Sequence, residues 1–447
     1  MFLISKHVSS VTQKFSPNFK KIIANTFWLF VDRIVQMFLG LFIGIWVTRY
    51  LGPEQFGVFS YSMAFVGLFG VVSNLGLDSI VVREVIRYPN SANQILGTTF
   101  LLRQASAFVT ALVAIAVIFV IRPDDPIAHT LVGILVVASF FNTFPIDVWF
   151  QAQVESKHVV WAKNAAYVLM CAGRFALIQM KAPLVAFAWA ALVEIVLSTA
   201  AQVVVYQFKH RALQKWRFDV SWAKTLLKES WPLIISGMVI IIYMRIDQLM
   251  LGQMTTAKEV GIYSAAVKIS EMWYFVPGAV ISSVFPSIVQ SRENPKLYHS
   301  RLQKLFNLMT LFAYAVALPL TFISSWLVSI LYGAQFLEAA PILSLHVWTG
   351  VFVSLGMARG PYLITEGLTR FSALTSTGGA IINIVLNYFL IPAYGAVGAA
   401  IATVFAQVFA SYLAHLCHVQ TRVIFIQQTR ALFMVDYIQK IFRSFNY

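Results

Sequence analysis

"RYLGPEQFGVFSYSM", Arg49–Met63, interrupts a long apolar run with an Arg, a Gly-Pro pair, a Glu and a Phe-Gly step, then turns apolar again. A looser copy, "LGQMTTAKEVGIYSAAV", covers Leu251–Val267. In both, Leu-Gly closes one apolar run, a short polar link follows, and an apolar-Gly-apolar-aromatic-Ser group opens the next. Gly52 and Pro53 break a helix, because Gly accepts turn conformations and Pro lacks the N–H donor. Gly57 permits close packing where the next helix starts. The stretch therefore reads as the turn between the first two helices of a lobe, and its recurrence means that the lobe occurs twice.

The residues around these turns set the class. Of 447 residues, 59% are hydrophobic and only 11% charged, and the mean hydropathy is +0.75. A soluble protein would carry roughly a quarter charged residues. Apolar runs of about 20 residues, the length that spans a bilayer as a helix, recur throughout. The chain reads as an all-α polytopic membrane protein. Cys171 and Cys417 lie far apart inside apolar runs and suggest neither a disulfide framework nor a metal knuckle. Lys20 and Lys21 precede an apolar run without a small-residue cleavage site, so the first span is expected to act as a retained signal anchor.

Twelve spans are expected, at 24–48, 56–76, 95–121, 127–149, 159–180 and 183–208, then 231–252, 260–289, 302–323, 339–364, 371–391 and 394–418. With the N-terminus inside, 22 of the 33 Lys and Arg fall in inside segments, and only Arg49, Arg122, Lys181 and Lys258 fall in outside links. The positive-inside rule then places both termini in the cytoplasm. It also accounts for the net charge of +15 without nucleic acid as a partner. From Ile424 onward, Leu432, Val435, Ile438, Phe442 and Phe445 form a stripe beside Arg430, Lys440 and Arg443. That fits either an interfacial amphipathic helix or a solvated tail.

The longest basic inside segment, "KHRALQKWRFDVSWAKTLLKES" (Lys209–Ser230), separates six spans from six. An even number leaves both halves in the same orientation, a parallel repeat. A weaker echo pairs "AFAWAALVE" (Ala186–Glu194) with "GAVGAAIAT" (Gly395–Thr403). The expected organisation is an N-terminal lobe (1–208), a basic cytoplasmic linker (209–230), a C-terminal lobe (231–418) and a basic tail (419–447). Two parallel six-helix lobes with short outside links suggest a transporter and leave no room for an external catalytic domain.

Twelve ionisable residues fall at membrane depth: Asp32, Arg33, Arg103, Asp147, Lys163, Arg174, Glu194, Arg245, Asp247, Lys268, Glu271 and Arg359. Each costs about 2.5–3.5 kcal/mol at the centre of a lipid-facing helix. They must line a wet cavity, pair, or snorkel. Asp147 and Lys163 lie near the inner ends of their spans and can snorkel, while Lys268 and Glu271, three apart, can pair locally. Asp32 and Arg33 point roughly 100° apart, so each needs its own partner, and the same holds for Arg245 and Asp247. The substrate-binding candidates are Arg33, Arg103, Arg174, Arg245, Lys268 and Arg359, with Asp32, Glu194, Asp247 and Glu271 as cavity or coupling acids. Guanidinium forks match phosphate oxygens and keep their charge at any working pH, so this set favours an anionic substrate. Arg33, Arg103 and Arg359 lie toward the cytoplasm, and Arg174, Arg245 and Lys268 toward the outside. Such a ladder can pass a phosphate head group outward.

"TRYLGPEQFGVFSYSMAF" and "IINIVLNYFLIPAYGAVGAAIATVFAQV" (Ile381–Val408) resemble the polysaccharide-export branch of the MOP transporters, which contains Wzx-type flippases. The resemblance runs through about residue 420. It implies a V-shaped, MATE-like twelve-helix fold that moves undecaprenyl-diphosphate-linked oligosaccharide across the bacterial cytoplasmic (inner) membrane by alternating access. It also implies a polysaccharide polymerase and a chain-length regulator as partners, no enzymatic activity and no cofactor, with Na+ or H+ as the coupling ion. Relatives that bind a monovalent cation match here at Asp247, Asn383, Asn387 and Thr403. Asn387 stands where an acid can occur, and the two asparagines, four apart on one helix face, can equally make interhelical hydrogen bonds worth about 0.6–2 kcal/mol. An ion-coupled exporter of small cationic molecules shares the fold, but arginines outnumber acids in the expected cavity. A non-transporting scaffold of a polysaccharide-assembly complex leaves those arginines unexplained. "HLCHV" (His415–Val419) reads as interfacial histidines, and Trp216, Phe218 and Trp222 as aromatics dipping into the inner leaflet. No phosphate-cradling loop or nucleophile elbow is present.

Overall fold

The structure, a computed structural model, describes residues 17–210 and 213–436, with side chains at 28, 35–209 and 213–436. Its helices are α1 (Pro17–Asn74), α2 (Asp78–Arg87), α3 (Ala92–Ile121), α4 (Pro126–Phe141), α5 (Ile146–Ala152), α6 (Lys157–Gln179), α7 (Leu184–His210) and α8 (Val220–Met254). They continue as α9 (Ala257–Glu271), α10 (Phe275–Gln290), α11 (Pro295–Tyr332), α12 (Ala339–His346), α13 (Thr349–Ala358), α14 (Gly360–Thr365), α15 (Thr369–Ser411) and α16 (Arg422–Leu432). No strand occurs among the described residues.

Nine stretches among the described residues are long and apolar enough to cross a membrane, and the chain is a multi-pass membrane protein. Two of them, Val35–Arg87 and Thr369–Cys417, each cover more than one of the expected spans. In both, a single glycine carries the break: Gly52 at φ 72°, ψ 171° in α1, and Gly395 at φ 54°, ψ −134° in α15. Left-handed φ is open to glycine at little steric cost, so one residue redirects a helix that hydrogen bonding otherwise continues. Helix α6, expected as a span, is not among the nine, because Lys163, Asn164, Arg174 and Gln179 dilute its apolar run.

The chain forms two compact units, 1–47 with 66–238 and 48–65 with 239–447. The turn segment 48–65 belongs to the second. In the first unit α7 packs on α6 and α4, α3 on α4, and α2 on α5. In the second, α11 gathers α12, α13 and α16, while α15 packs on α12 and α13.

The two copies of the opening motif meet inside the second unit. A Cβ at Gly57 would overlap the carbonyl of Ala257, and one at Gly261 would overlap the carbonyl of Pro53. Each glycine receives the backbone four residues before its counterpart. The contact is therefore reciprocal, as a two-fold relation requires, and small residues are what let helix backbones approach so closely. Gln335 Nε2 ties in the turn by donating to the Arg49 carbonyl at 2.7 Å, and Gln253 donates to the Tyr61 hydroxyl at 2.6 Å.

Two amphipathic readings change. Trp216 donates to the Tyr206 hydroxyl at 3.1 Å and Trp222 lies edge-on to Tyr88, so both pack on protein. Phe218 remains exposed. Their segment is drawn in because Gly97 lets the backbone of Arg217 sit against α3. Likewise, α16 buries Ile424 and Ala431 against α11, and Tyr314 donates to its Leu432 carbonyl at 3.0 Å. Ile438, Lys440, Phe442, Arg443 and Phe445 lie outside the described residues.

Candidate functional site

Asp247 on α8 is the centre of a buried polar cluster in the second unit. Its side chain, 3% exposed, accepts from Asn387 Nδ2, Tyr263 Oη and Thr403 Oγ1, each at 2.6 Å. Asn387 also donates to Asn383 Oδ1 at 3.2 Å. The four residues that the family resemblance selects for a cation thus lie together, supplied by α8 and by both halves of α15. The Gly395 break brings those halves alongside. Glu259 fixes it: its carboxylate accepts the Ala396 amide at 2.8 Å, capping the helix after the break.

The cluster follows a helical register. Tyr243 and Asp247, one turn apart on α8, meet Gln407 and Thr403, one turn apart on α15. Two buried amide atoms remain without a hydrogen-bond partner among the described residues, Asn387 Oδ1 and Asn383 Nδ2. The first is an acceptor beside a carboxylate and two hydroxyl oxygens. That oxygen-rich, dehydrated group suits a hard cation.

The same unit holds a cavity of about 330 Å³, with apolar walls such as Val239, Met244 and Val267. Asp247, Glu271, His346 and Arg359 also line it. His346 Nδ1 pairs with Ser270 Oγ at 2.9 Å. Arg359, 4% exposed, donates to the Ala410 carbonyl at 2.8 Å, to His415 Nε2 at 3.0 Å and to Thr375 Oγ1 at 3.3 Å. No carboxylate among the described residues pairs with it. It satisfies carbonyl ends of α15, where the helix dipole favours a cation. Because Arg only donates, His415 Nε2 accepts and the ring proton sits on Nδ1. His415 is fully buried and packs against the ring of Phe371.

In the first unit the described ionisable residues expected at membrane depth pair, each with a carboxylate or a cation of the same unit. Arg103, 1% exposed, joins Asp78 at 2.7 Å and donates to the Asn74 carbonyl at 3.1 Å, the last residue of α1. Arg174 joins Glu194 at 2.5 Å. Lys163 and Asp147, expected to snorkel separately, join at 3.3 Å. Within such a pair neither charge is left uncompensated, and removing one partner of a buried pair costs about 3–5 kcal/mol.

Arg245 is half-buried and makes no hydrogen bond or ion pair with any described residue, although Glu271 feels its charge. The Lys268 ammonium lies 6.0 Å from the centre of the Phe56 ring. The side chains of Asp32 and Arg33 lie outside those described. Sequence reasoning passed over Tyr263, Tyr243, Gln407 and Asp78. Tyr263 stood within the second motif, as the aromatic beside Gly261, and Asp78 gave no signal beyond its acidity.

Residues 46–341 match a protein family described as polysaccharide biosynthesis protein. A Haloferax volcanii protein named "Probable flippase AglR" is 31% identical over 183 residues, which is 38% of this chain and 37% of that protein. The chain thus aligns with well under half the length of that relative. A Shigella flexneri protein named "Putative O-antigen transporter" is 21% identical and aligned over 85% of this chain and 94% of its own. Among solved structures, the lipid II flippase MurJ in an inward closed conformation superposes with a TM-score of 0.68 at 14% identity, covering 94% of this chain and 93% of MurJ. An inward-facing MATE transporter of the MOP superfamily gives 0.71 at 14% identity, covering 92% and 99%. At such identities the likeness is one of fold. With the family's profile matching well over half its length, this chain belongs to the polysaccharide biosynthesis protein family.

Proposed function

We propose that this protein flips a lipid-linked oligosaccharide, carried on undecaprenyl diphosphate, from the inner to the outer leaflet of a bacterial cytoplasmic membrane by alternating access. In this reading α1 and α15 each cross twice and α6 crosses once, giving twelve passes with both termini in the cytoplasm. The observation that carries it is the retention of charged groups lining cavities inside membrane-length helices, in a fold shared with a lipid flippase.

The cations divide by what already holds them. Arg103, Arg174 and Arg359 have partners within the protein. Arg245, which makes no hydrogen bond or ion pair with any described residue, would meet the diphosphate, whose oxygens accept the guanidinium fork. Asp247, Asn387, Thr403 and Tyr263 would hold a coupling Na+, or Asp247 a proton. Bound there, a cation would supply positive charge to a carboxylate that three donors otherwise satisfy. The polymerase and chain-length regulator named by the resemblance would take up the flipped product.

The test is purified protein in proteoliposomes loaded with fluorescent undecaprenyl-diphosphate oligosaccharide, its outer-leaflet fraction followed by lectin accessibility. Protein-dependent exposure is expected, and Arg245→Ala should slow it. Exposure no faster than in protein-free vesicles would end the proposal. A second reading, export of a lipophilic cation, draws on the apolar walls and the two acids, Asp247 and Glu271, of the second unit's cavity. It predicts uptake of such cations by the same vesicles.

A further inference from the structure

The first unit contains two adjoining cavities that share Asn142 and Asp147, of about 310 Å³ and about 330 Å³. We propose that this trough is the glycan subsite of the transported lipid, selective for a charge-neutral, hydroxyl-rich sugar. The inference rests on the flippase reading and adds to it where the sugar sits and what kind of sugar is taken.

Charge comes first. Among the described residues, each cation lining the trough is matched by a carboxylate: Lys163 by Asp147 at 3.3 Å and Arg103 by Asp78 at 2.7 Å. Glu194, a third lining acid, is matched by Arg174 at 2.5 Å. A diphosphate entering here would have to displace a carboxylate from each cation and then face its charge. Such a site discriminates against anions. It does not discriminate against hydroxyls, which donate to a carboxylate and accept from an ammonium or guanidinium at the same time. A sugar can therefore bridge these pairs without breaking them.

The remaining lining has the other two elements that a sugar needs. The amide of Asn142 and the carboxylates of Asp147 and Glu194 offer pairs of polar atoms at the spacing of neighbouring hydroxyls. The rings of Phe141 and Tyr167 offer flat apolar surface for the C–H faces of a pyranose. Asn142 is exposed to the trough and its side chain bonds to no described residue, so its donors and acceptor are available. The second unit's cavity is the more apolar one, with Val239, Ile240 and Met244 in its wall beside Asp247, Glu271 and Gln407.

The test uses the full-length protein in detergent and, as probe, the free glycan released by mild acid from the source cell's lipid-linked oligosaccharide pool. Thermophoresis should show saturable binding that inorganic pyrophosphate does not compete away. Asn142→Ala, at an exposed side chain that bonds to no described residue, should weaken it by about tenfold, the size of one lost hydrogen bond, with unchanged melting temperature. If that variant melts early, the similarly sized Asn142→Leu replaces it: it keeps the volume and removes every hydrogen-bonding group, so it should still weaken binding. Competition by pyrophosphate, wild-type affinity in the variant, or no saturable binding overturns the glycan subsite. The flipping assay is read separately. Glycan binding without flipping would refute the transport reading alone, and flipping with no effect of the trough variant on glycan affinity would refute the subsite alone.

Discussion

Replacing Gly57 by Ala tests the reciprocal glycine contact most directly. A methyl group there would overlap the Ala257 carbonyl and press on the Gly261 amide. Both are backbone atoms in helical segments and cannot rotate away as a side chain would. Overpacking of this kind costs about 1–3 kcal/mol. A second term opposes it, because Ala is a better helix former than Gly by about 0.5–1 kcal/mol. Gly67, ten residues further along α1, has no atom within 4 Å of the place its Cβ would occupy. Gly67→Ala therefore carries the favourable term alone. The propensity gain is common to both variants, so their difference isolates the close approach at about 1–3 kcal/mol. The assay is thermal unfolding of the purified proteins in one detergent, followed by intrinsic tryptophan fluorescence, with denaturant titration to convert shifts to free energy. Gly57→Ala should melt below wild type and Gly67→Ala at or above it. Equal midpoints for the two variants would refute the backbone contact. Gly261→Ala, the reciprocal position, should behave as Gly57→Ala does.

Asp247→Asn should abolish any stabilisation of the protein by Na+ over choline in a melting assay, since the amide brings a donor to a place already ringed by three donors; Na+-dependent stabilisation persisting in the variant would remove Asp247 from the cation site. Arg359→Ala should destabilise by about 1–3 kcal/mol for each buried acceptor left unpaired, and Arg359→Lys should restore little, because one ammonium cannot reach Ala410, His415 and Thr375 together. Asp219, before α8, accepts from the Ser221 and Trp222 amides and the Ser221 hydroxyl, led by the last, which hold its carboxyl below the usual range. A folded pKa below the unfolded one gives stability that is complete above the ordinary carboxylate range and lost as pH falls through the depressed value. Amide exchange at Ala223 and Lys224, corrected for intrinsic rate, should thus show protection falling over that acidic window in wild type and no such step in Asp219→Asn.

The sequence by itself determined the class and pointed to the recurring turn motif and to the residues worth watching. Hydropathy and Lys/Arg placement depend on transfer of side chains into a bilayer, a local property that needs no contacts. The Gly52–Pro53 turn was equally legible, because its cause lies in two residues' own backbone chemistry, and the family resemblance named Asp247, Asn383, Asn387 and Thr403. Only the tertiary structure decided partnership. Whether Arg103 is a substrate ligand or the partner of Asp78, and whether Arg359 meets a phosphate or the end of α15, depends on which helix faces which across long stretches of chain. The same is true of Gly57. Its sequence announced close packing, but that the neighbour is the second copy of its own motif follows from helix crossing, which no local periodicity encodes.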